Sequence, residues 1–334
     1  MQWRRTLIAA ALAMFASGWA ACASAEVIRI GAARLANCAP IAIALAEGYF
    51  VAEGLDPKLI VFEAQAPIAV AVASGDLDVG LAAQTAALYN LGQAGRVRVI
   101  ASGVAEAPGF HDLALVVSNK AYAGGLTSPN KLPGHSFALT QMGTGLQYSL
   151  ARIAAKEGFA MSTITLLPLQ SNPNIVSALA GGRADAAVID ATNALPLVER
   201  GDAKLIGWSG DLTGFTPAYL MFASRNMSDN HGDTVRHFLA AYRHAVHDYY
   251  DTFADQSGKR KDGPGAPAML DIIAKYVGQP AERVALGLPY IDRDARIDVP
   301  ELQKQIDWYR SFGAIKGDML ATAVLDMRYV IERH

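Results

Sequence analysis

The chain has 334 residues, 52% hydrophobic and 18% charged, with a net charge of −2. That is ample for two domain-sized cores and too apolar for intrinsic disorder. The slight negative charge provides no basic field for nucleic acid, and a total of two cysteines excludes a disulfide scaffold or a structural zinc site.

The N-terminus, MQWRRTLIAAALAMFASGWAACASA, carries Arg4 and Arg5, an apolar run over residues 7–16, and Ala23 and Ala25 in an A-x-A arrangement before Glu26. This is the pattern of an export signal cleaved after Ala25, and the run is short for a membrane span. Lipid attachment at Cys22 is disfavoured by Trp19 three positions earlier, and a twin-arginine route by Thr6 directly after the arginine pair. Cleavage removes two arginines and no acid, so the mature net charge is about −4. Cys38 is then the one cysteine left.

Residues 27–33 read as a strand, Pro40 stands where a helix begins, and Gly48 ends that helix over 41–47. A second strand follows at 58–62. Residues 71–85 read AVASGDLDVGLAAQT and residues 178–192 read ALAGGRADAAVIDAT, so Ala71, Ala73, Gly75, Asp78 and Thr85 match Ala178, Ala180, Gly182, Asp185 and Thr192 without a gap. Each copy spells a helix end, a glycine that permits positive φ, a short strand buried on both faces, and a polar segment beyond its carboxyl end. Each is also preceded by its own strand, loop and helix, at 27–47 and from 136 onward. The pattern predicts two equivalent α/β half-molecules with facing loops rather than one continuous sheet. Residues 111–118 and 218–224 read as extended crossings between them, which makes a hinge.

The long helix at 233–253 carries His237, His244 and His247 on a polar face, with no third ligand placed to hold a metal. Residues 256–267, rich in Lys, Gly and Pro, read as a surface loop. A nucleophile elbow, a P-loop and a dinucleotide fingerprint are all missing, so binding without turnover is the expectation, with no cofactor and no metal.

The run APIAIALAEGYFVAEGLDPKLIVF at 39–62, followed by ASGDLDVG at 73–80, resembles the periplasmic solute-binding proteins of ABC importers for nitrate, sulfonates, taurine and thiamine precursors. Leu132-Pro133-Gly134 before the strand at 136–140, and Leu302, Gln303, Trp308 and Tyr309 before Gly313, extend the resemblance over nearly the whole mature chain. It implies an α/β protein of the periplasmic-binding-protein type II fold, two doubly wound lobes joined by a two-strand hinge. The first lobe would span 26–115, the second 116–220, and 221–334 would return to the first and close with helices. The implied function is capture of a small organic solute, of sulfonate, aromatic carboxylate or pyrimidine type, by a monomer that delivers it to an inner-membrane ABC permease. Thiamine-pyrimidine synthases share the motifs but carry a cysteine cluster near iron, and a periplasmic sensor would use the same cleft.

Ligands of open α/β sheets bind beyond strand carboxyl ends. Gln84, Thr85, Asp190 and Asn193 occupy such ends in the two copies, and Asn37 and Cys38 occupy the loop after the first strand. Gln141, Gly143, Thr144 and Gly145 open a helix and form an anion seat if their amides are free. Phe110 and His111 before one crossing, and Phe215 and Tyr219 around the other, are candidate walls. Asp190 stands either in the cleft or as a helix cap. Sulfonate binders follow their second strand with an aromatic residue, Glu and Pro, where this chain has Asp190-Ala191-Thr192-Asn193. An ionised acid there favours a ligand that donates hydrogen bonds over a bare anion. The intact mass of the secreted protein should place its first residue at Glu26; a lipidated species beginning at Cys22 overturns that reading.

Overall fold

Short apolar strands that alternate with helices pair in parallel, with helices covering both faces. The computed structural model, which describes residues 25–62 and 65–333, holds two five-stranded sheets of this kind. All of the export signal up to Ser24 lies outside the described residues. In chain order the strands are β1 (Glu26–Ala33), β2 (Leu55–Phe62), β3 (Val79–Ala83), β4 (Val97–Ser102), β5 (Val104–Glu106), β6 (Leu113–Ser118) and β7 (Ser136–Leu139). They continue as β8 (Thr165–Pro168), β9 (Ala186–Asp190), β10 (Ala203–Trp208), β11 (Thr216–Pro217), β12 (Tyr219–Ser224) and β13 (Tyr290–Ile291).

The first sheet runs β2-β1-β3-β12-β4 and the second β8-β7-β9-β6-β10. In each, the first strand pairs in parallel with the next two, and a crossing strand inserts antiparallel beside the third. The two crossing strands, β12 and β6, are six residues long, buried throughout, and end in Ser224 and Ser118. Each serine hydroxyl accepts the hydrogen bond that starts the following helix, from Met227 N and Ala121 N. Side chains alternate between faces, so Met221 and Ala223 join one core while Leu220 and Phe222 join another, and Leu115 and Val116 divide likewise in the second lobe.

The repeated Asp is what aligns each sheet. Asp78 Oδ2 accepts the Arg29 amide of β1 at 2.7 Å, and Asp185 Oδ2 accepts the Ser136 amide of β7 at 2.9 Å. In both copies the carbonyl of that Asp accepts the amide of the serine ending the crossing strand, at 2.9 Å. Gly75 and Gly182 adopt φ of 88° and 65° just ahead, the left-handed turn the sequence requires there.

Between the lobes, β5 pairs antiparallel with β11, and β13 adds a third strand contributed by a distant segment. The small sheet at the crossing is thus three-stranded, with β13 added to the two hinge segments. The C-terminal part wraps back: the helix Gly232–Phe253 packs on Ala39–Ala46, and Val299–Ser311 lies against the first lobe. Among the described residues, no helix is long and apolar enough to cross a membrane.

Burial pulls the Asp185 carboxyl up, but the Ser136 amide and hydroxyl and nearby His135 outweigh it and hold the carboxyl below its ordinary value. Asp185→Ala should lower the unfolding free energy by about 1–3 kcal/mol in urea melts. Because the folded value is depressed, that contribution is complete above the ordinary Asp range and is lost as pH falls through the depressed one. A variant as stable as the parent at neutral pH overturns the role.

Candidate functional site

The polar ends of β1, β3 and β9 meet where the first sheet faces the second. Asn37, in the 3-10 turn Ala36–Cys38 after β1, donates through Nδ2 to Asp190 Oδ1 at 3.2 Å and to the Tyr219 hydroxyl at 2.6 Å. Tyr219, the first residue of the crossing strand β12, donates its hydroxyl to Asp190 Oδ1 at 3.4 Å. Asn172 reaches Asp190 Oδ2 at 3.4 Å from the helix Asn172–Ala180. Gln65 donates to the same tyrosine hydroxyl while its Oε1 accepts the Ala83 amide, which ties the ring to the end of β3. Asn37, Asp190 and Tyr219 are thus joined although 153 and 182 residues separate Asn37 from the other two.

Asp190 occupies the cap position of the helix Ala191–Glu199, yet its side chain makes no capping bond. The cap alternative is corrected by this geometry. The carboxylate is turned into the interlobe group, where burial raises its pKa against the pull of the Asn37, Tyr219 and Asn172 donors.

Two further acids lie alongside, and sequence reasoning missed both. Glu106 ends the hinge strand β5 and Asp112 precedes β6; they are 1% and 2% exposed. Burial first, and then the charge of Asp112 on Glu106 and of Asp190 on Asp112, push both carboxyls well above the ordinary range. The Asp112 carbonyl accepts the Ala191 amide at 2.6 Å, which fixes it beside Asp190. Both oxygens of Glu106 and Oδ2 of Asp112 have no hydrogen-bond partner among the described residues. A single acid in an irregular stretch carries no periodic signal, so only the fold shows that the two converge.

Nearer the surface, Thr85, Asn90, Gln141, Met142, Thr144 and Phe312 line a cavity of about 500 Å³ at the mouth of the cleft. In the proposed anion seat one amide, that of Gly143, is taken by the chain itself. The Gly143 amide donates to Gln147 Oε1 at 2.7 Å, and the Gly143 carbonyl accepts the Ala86 amide of the opposite lobe at 3.0 Å. Thr144 Oγ1 donates to the Gln141 carbonyl at 3.1 Å instead of capping the helix Gly145–Glu157, and Gly145 lies close under the Gln84 carbonyl. Thr85 is itself a helix cap, accepting the Leu88 amide at 3.1 Å. Gln84 is fully buried, its Oε1 accepting the Tyr89 hydroxyl at 2.8 Å while its Nε2 has no partner among the described residues.

Phe110 and His111 are placed away from this group. Phe110 packs edge-on against Tyr290 of the third hinge strand at 5.3 Å, and Phe215 does the same at 5.9 Å. His111 stacks on Trp208 at 4.6 Å and bonds Asp211 at 3.1 Å. Asn193 is half-buried in the first turns of the helix Ala191–Glu199. His244 stacks on Tyr49 and His247 bonds Asp294, and no group of three or more metal-ligating side chains is assembled among the described residues.

Cys38 is fully covered and burial pushes its thiol up to about 12. Its thiolate, the nucleophilic form, is suppressed. Iodoacetamide at pH 8 should therefore label Cys38 only after denaturant is added; fast labelling of the folded protein overturns this.

The sequence profile of the NMT1/THI5-like family matches residues 35–255. No curated protein sequence matches the chain. Among solved structures, the alkanesulfonate-binding protein SsuA from Xanthomonas axonopodis pv. citri, bound to MOPS, is 19% identical; the match covers 90% of this chain and 98% of that one, with a TM-score of 0.69. The ligand-binding component of an ABC-type import system from Staphylococcus aureus, with zinc bound, is 12% identical over 90% and 96%, with a TM-score of 0.71. The periplasmic nitrate-binding protein NrtA from Synechocystis is 12% identical over 90% and 84%, with a TM-score of 0.66.

Proposed function

The chain belongs to the NMT1/THI5-like family, and from that premise we propose that it is an exported, periplasmic solute-binding protein. As a monomer it would enclose one small organic molecule between its lobes and deliver it to an ABC permease in the inner membrane. One observation carries the reading: Asn37, Asp190 and Tyr219 come from the first lobe, the second lobe and the crossing strand, and they meet in one buried hydrogen-bonded group. A molecule held there contacts both lobes only when the cleft is shut.

Binding rather than turnover fits the chemistry. The thiol is covered and protonated, and the Gly143 amide of the helix-opening loop is engaged by Gln147 rather than presented to a developing charge. The fold of the relatives and the family membership support a transport role for the same cleft.

Closure is the direct test. Small-angle scattering of the mature protein should give a smaller radius of gyration on saturation with a ligand found by thermal shift, and an unchanged radius counts against the reading. Asp190→Ala should weaken that ligand by about 1.5–3 kcal/mol, the range for hydrogen bonds to charged groups. Titration calorimetry with unchanged affinity removes Asp190 from the site.

A further inference from the structure

We infer that the cleft recognises its solute by a nitrogen: the hinge end, where Glu106, Asp112 and Asp190 converge, is a seat for a protonated amine or amidine head group. The inference rests on the solute-binding reading above and adds the class of solute.

The three acids come from separate segments: β5, the start of β6 and the end of β9. They are 1%, 2% and 4% exposed. Burying a carboxylate is costly unless it is paired, and three together repel as well. Yet among the described residues no basic side chain meets them. His111, next to Asp112, is turned to Asp211. Arg152 is directed at Glu301 and the Thr213 and Phe215 carbonyls. Arg333 lies over the Phe215 ring at 3.8 Å, on the face of β5 that holds Ala105 and Ala107 and opposite to Glu106. Tyr219, Tyr249 and Cys38 are titratable neighbours as well, and all three are kept protonated by burial.

The unpaired atoms point the same way. Glu106 Oε1 and Oε2, Asp112 Oδ2 and Asn172 Oδ1 are buried acceptors with no donor at full hydrogen-bond geometry among the described residues; the Leu113 and Gly210 amides near Glu106 and the Asn37 side chain near Asp112 relieve the two acids only in part. Buried polar atoms are rarely left unbonded; on the segments of these acids and on Asn172 the unpaired atoms are acceptors, while the buried donors without a partner among the described residues are Gln84 Nε2, Arg243 Nε and Arg333 Nη1, on other segments. The Asn37 amide is shared among Asp190, the Tyr219 hydroxyl and Asp112, and the Asn172 amide goes to Asp190. An amidinium or ammonium supplies the missing positive charge and several N–H donors in one group, whereas an oxyanion supplies neither. The acids take up protons when the cleft is empty, because burial raises their pKa, and release them to a cationic ligand.

Benzamidine, benzoate and benzenesulfonate share a ring and differ in head group, so they separate the cases by thermal shift and calorimetry on the mature protein. Benzamidine should raise the melting temperature and bind at least tenfold tighter than either anion. Its affinity should rise with pH between 5 and 8, since the cation binds the ionised acids, and its heat should depend on the buffer as protons are released. Glu106→Gln and Asp112→Asn, each of which removes a charge without changing shape, should each cost at least tenfold in benzamidine affinity and flatten the pH dependence without lowering the melting temperature of the free protein. Tighter binding of either anion overturns the inference and leaves the solute-binding reading standing. Silence toward all three probes, or benzamidine binding untouched by both substitutions, also overturns it, and the scattering test above then decides the broader reading separately.

Discussion

Asp78 and Asp185 each hold the first strand of their sheet by its main-chain amide and, through their own carbonyl, the serine that ends the crossing strand. These two short chains of bonds set which residue of β1 lies beside β3 and which residue of β7 lies beside β9. A slip of one residue would turn every buried side chain of these strands to the other face. It would also move Asn37 and Asp190, which follow β1 and end β9, out of reach of each other. The geometry of the cleft therefore depends on two carboxylates at the far ends of the sheets from it.

The cleft itself is stabilised unevenly. Asp190 has donors from Asn37, Tyr219 and Asn172, so part of the cost of burying it is offset. For Glu106 the Leu113 and Gly210 amides, and for Asp112 the Asn37 side chain, offset less than burial and the neighbouring acids impose, so both carboxyls stay well above their ordinary range. A fold that keeps these groups buried spends stability at this point, as binding sites commonly do.

The duplicated architecture was legible because it recurs: Gly75 and Asp78 return as Gly182 and Asp185, and the model shows the same strand order and the same Asp bonds in both lobes. The positions of Asn37 and Asp190 beyond strand ends followed from the same pattern, and Tyr219 was a candidate wall at the crossing; the hydrogen bonds that join the three appear only in the structure. Gln141 to Gly145 was harder, because whether a loop amide is free depends on the next helical turn, and Gln147 fills it. Phe110 and Phe215 were set by β13, a strand supplied from beyond residue 286 that no local pattern announces. Glu106 and Asp112 belong to no repeat, and their proximity is a product of the hinge pairing alone.

Around the rim, contacts of a different kind hold the lobes together. Arg283 pairs with Glu199 at 2.7 Å, Gln279 donates to the Thr192 carbonyl at 2.9 Å, and Arg152 meets Glu301 at 3.2 Å beside the Tyr148 and Trp308 rings. Partly exposed ion pairs are worth about 0–1 kcal/mol each, so the clasp favours closure only weakly. The buried acids oppose it, because opening returns them to water. In the proposed closure, a ligand chooses between the two forms only if their free energies are close. Carrying a population from 1:99 to 99:1 takes about 5.5 kcal/mol of differential affinity, and that must come from groups whose interactions differ between the two states. The rim pairs do not touch a ligand seated at the hinge, so their share is fixed. The balance is left to the interior acceptors, which gain partners only when a donor is enclosed with them. Burial without donors is thus what couples occupancy of the cleft to its closing.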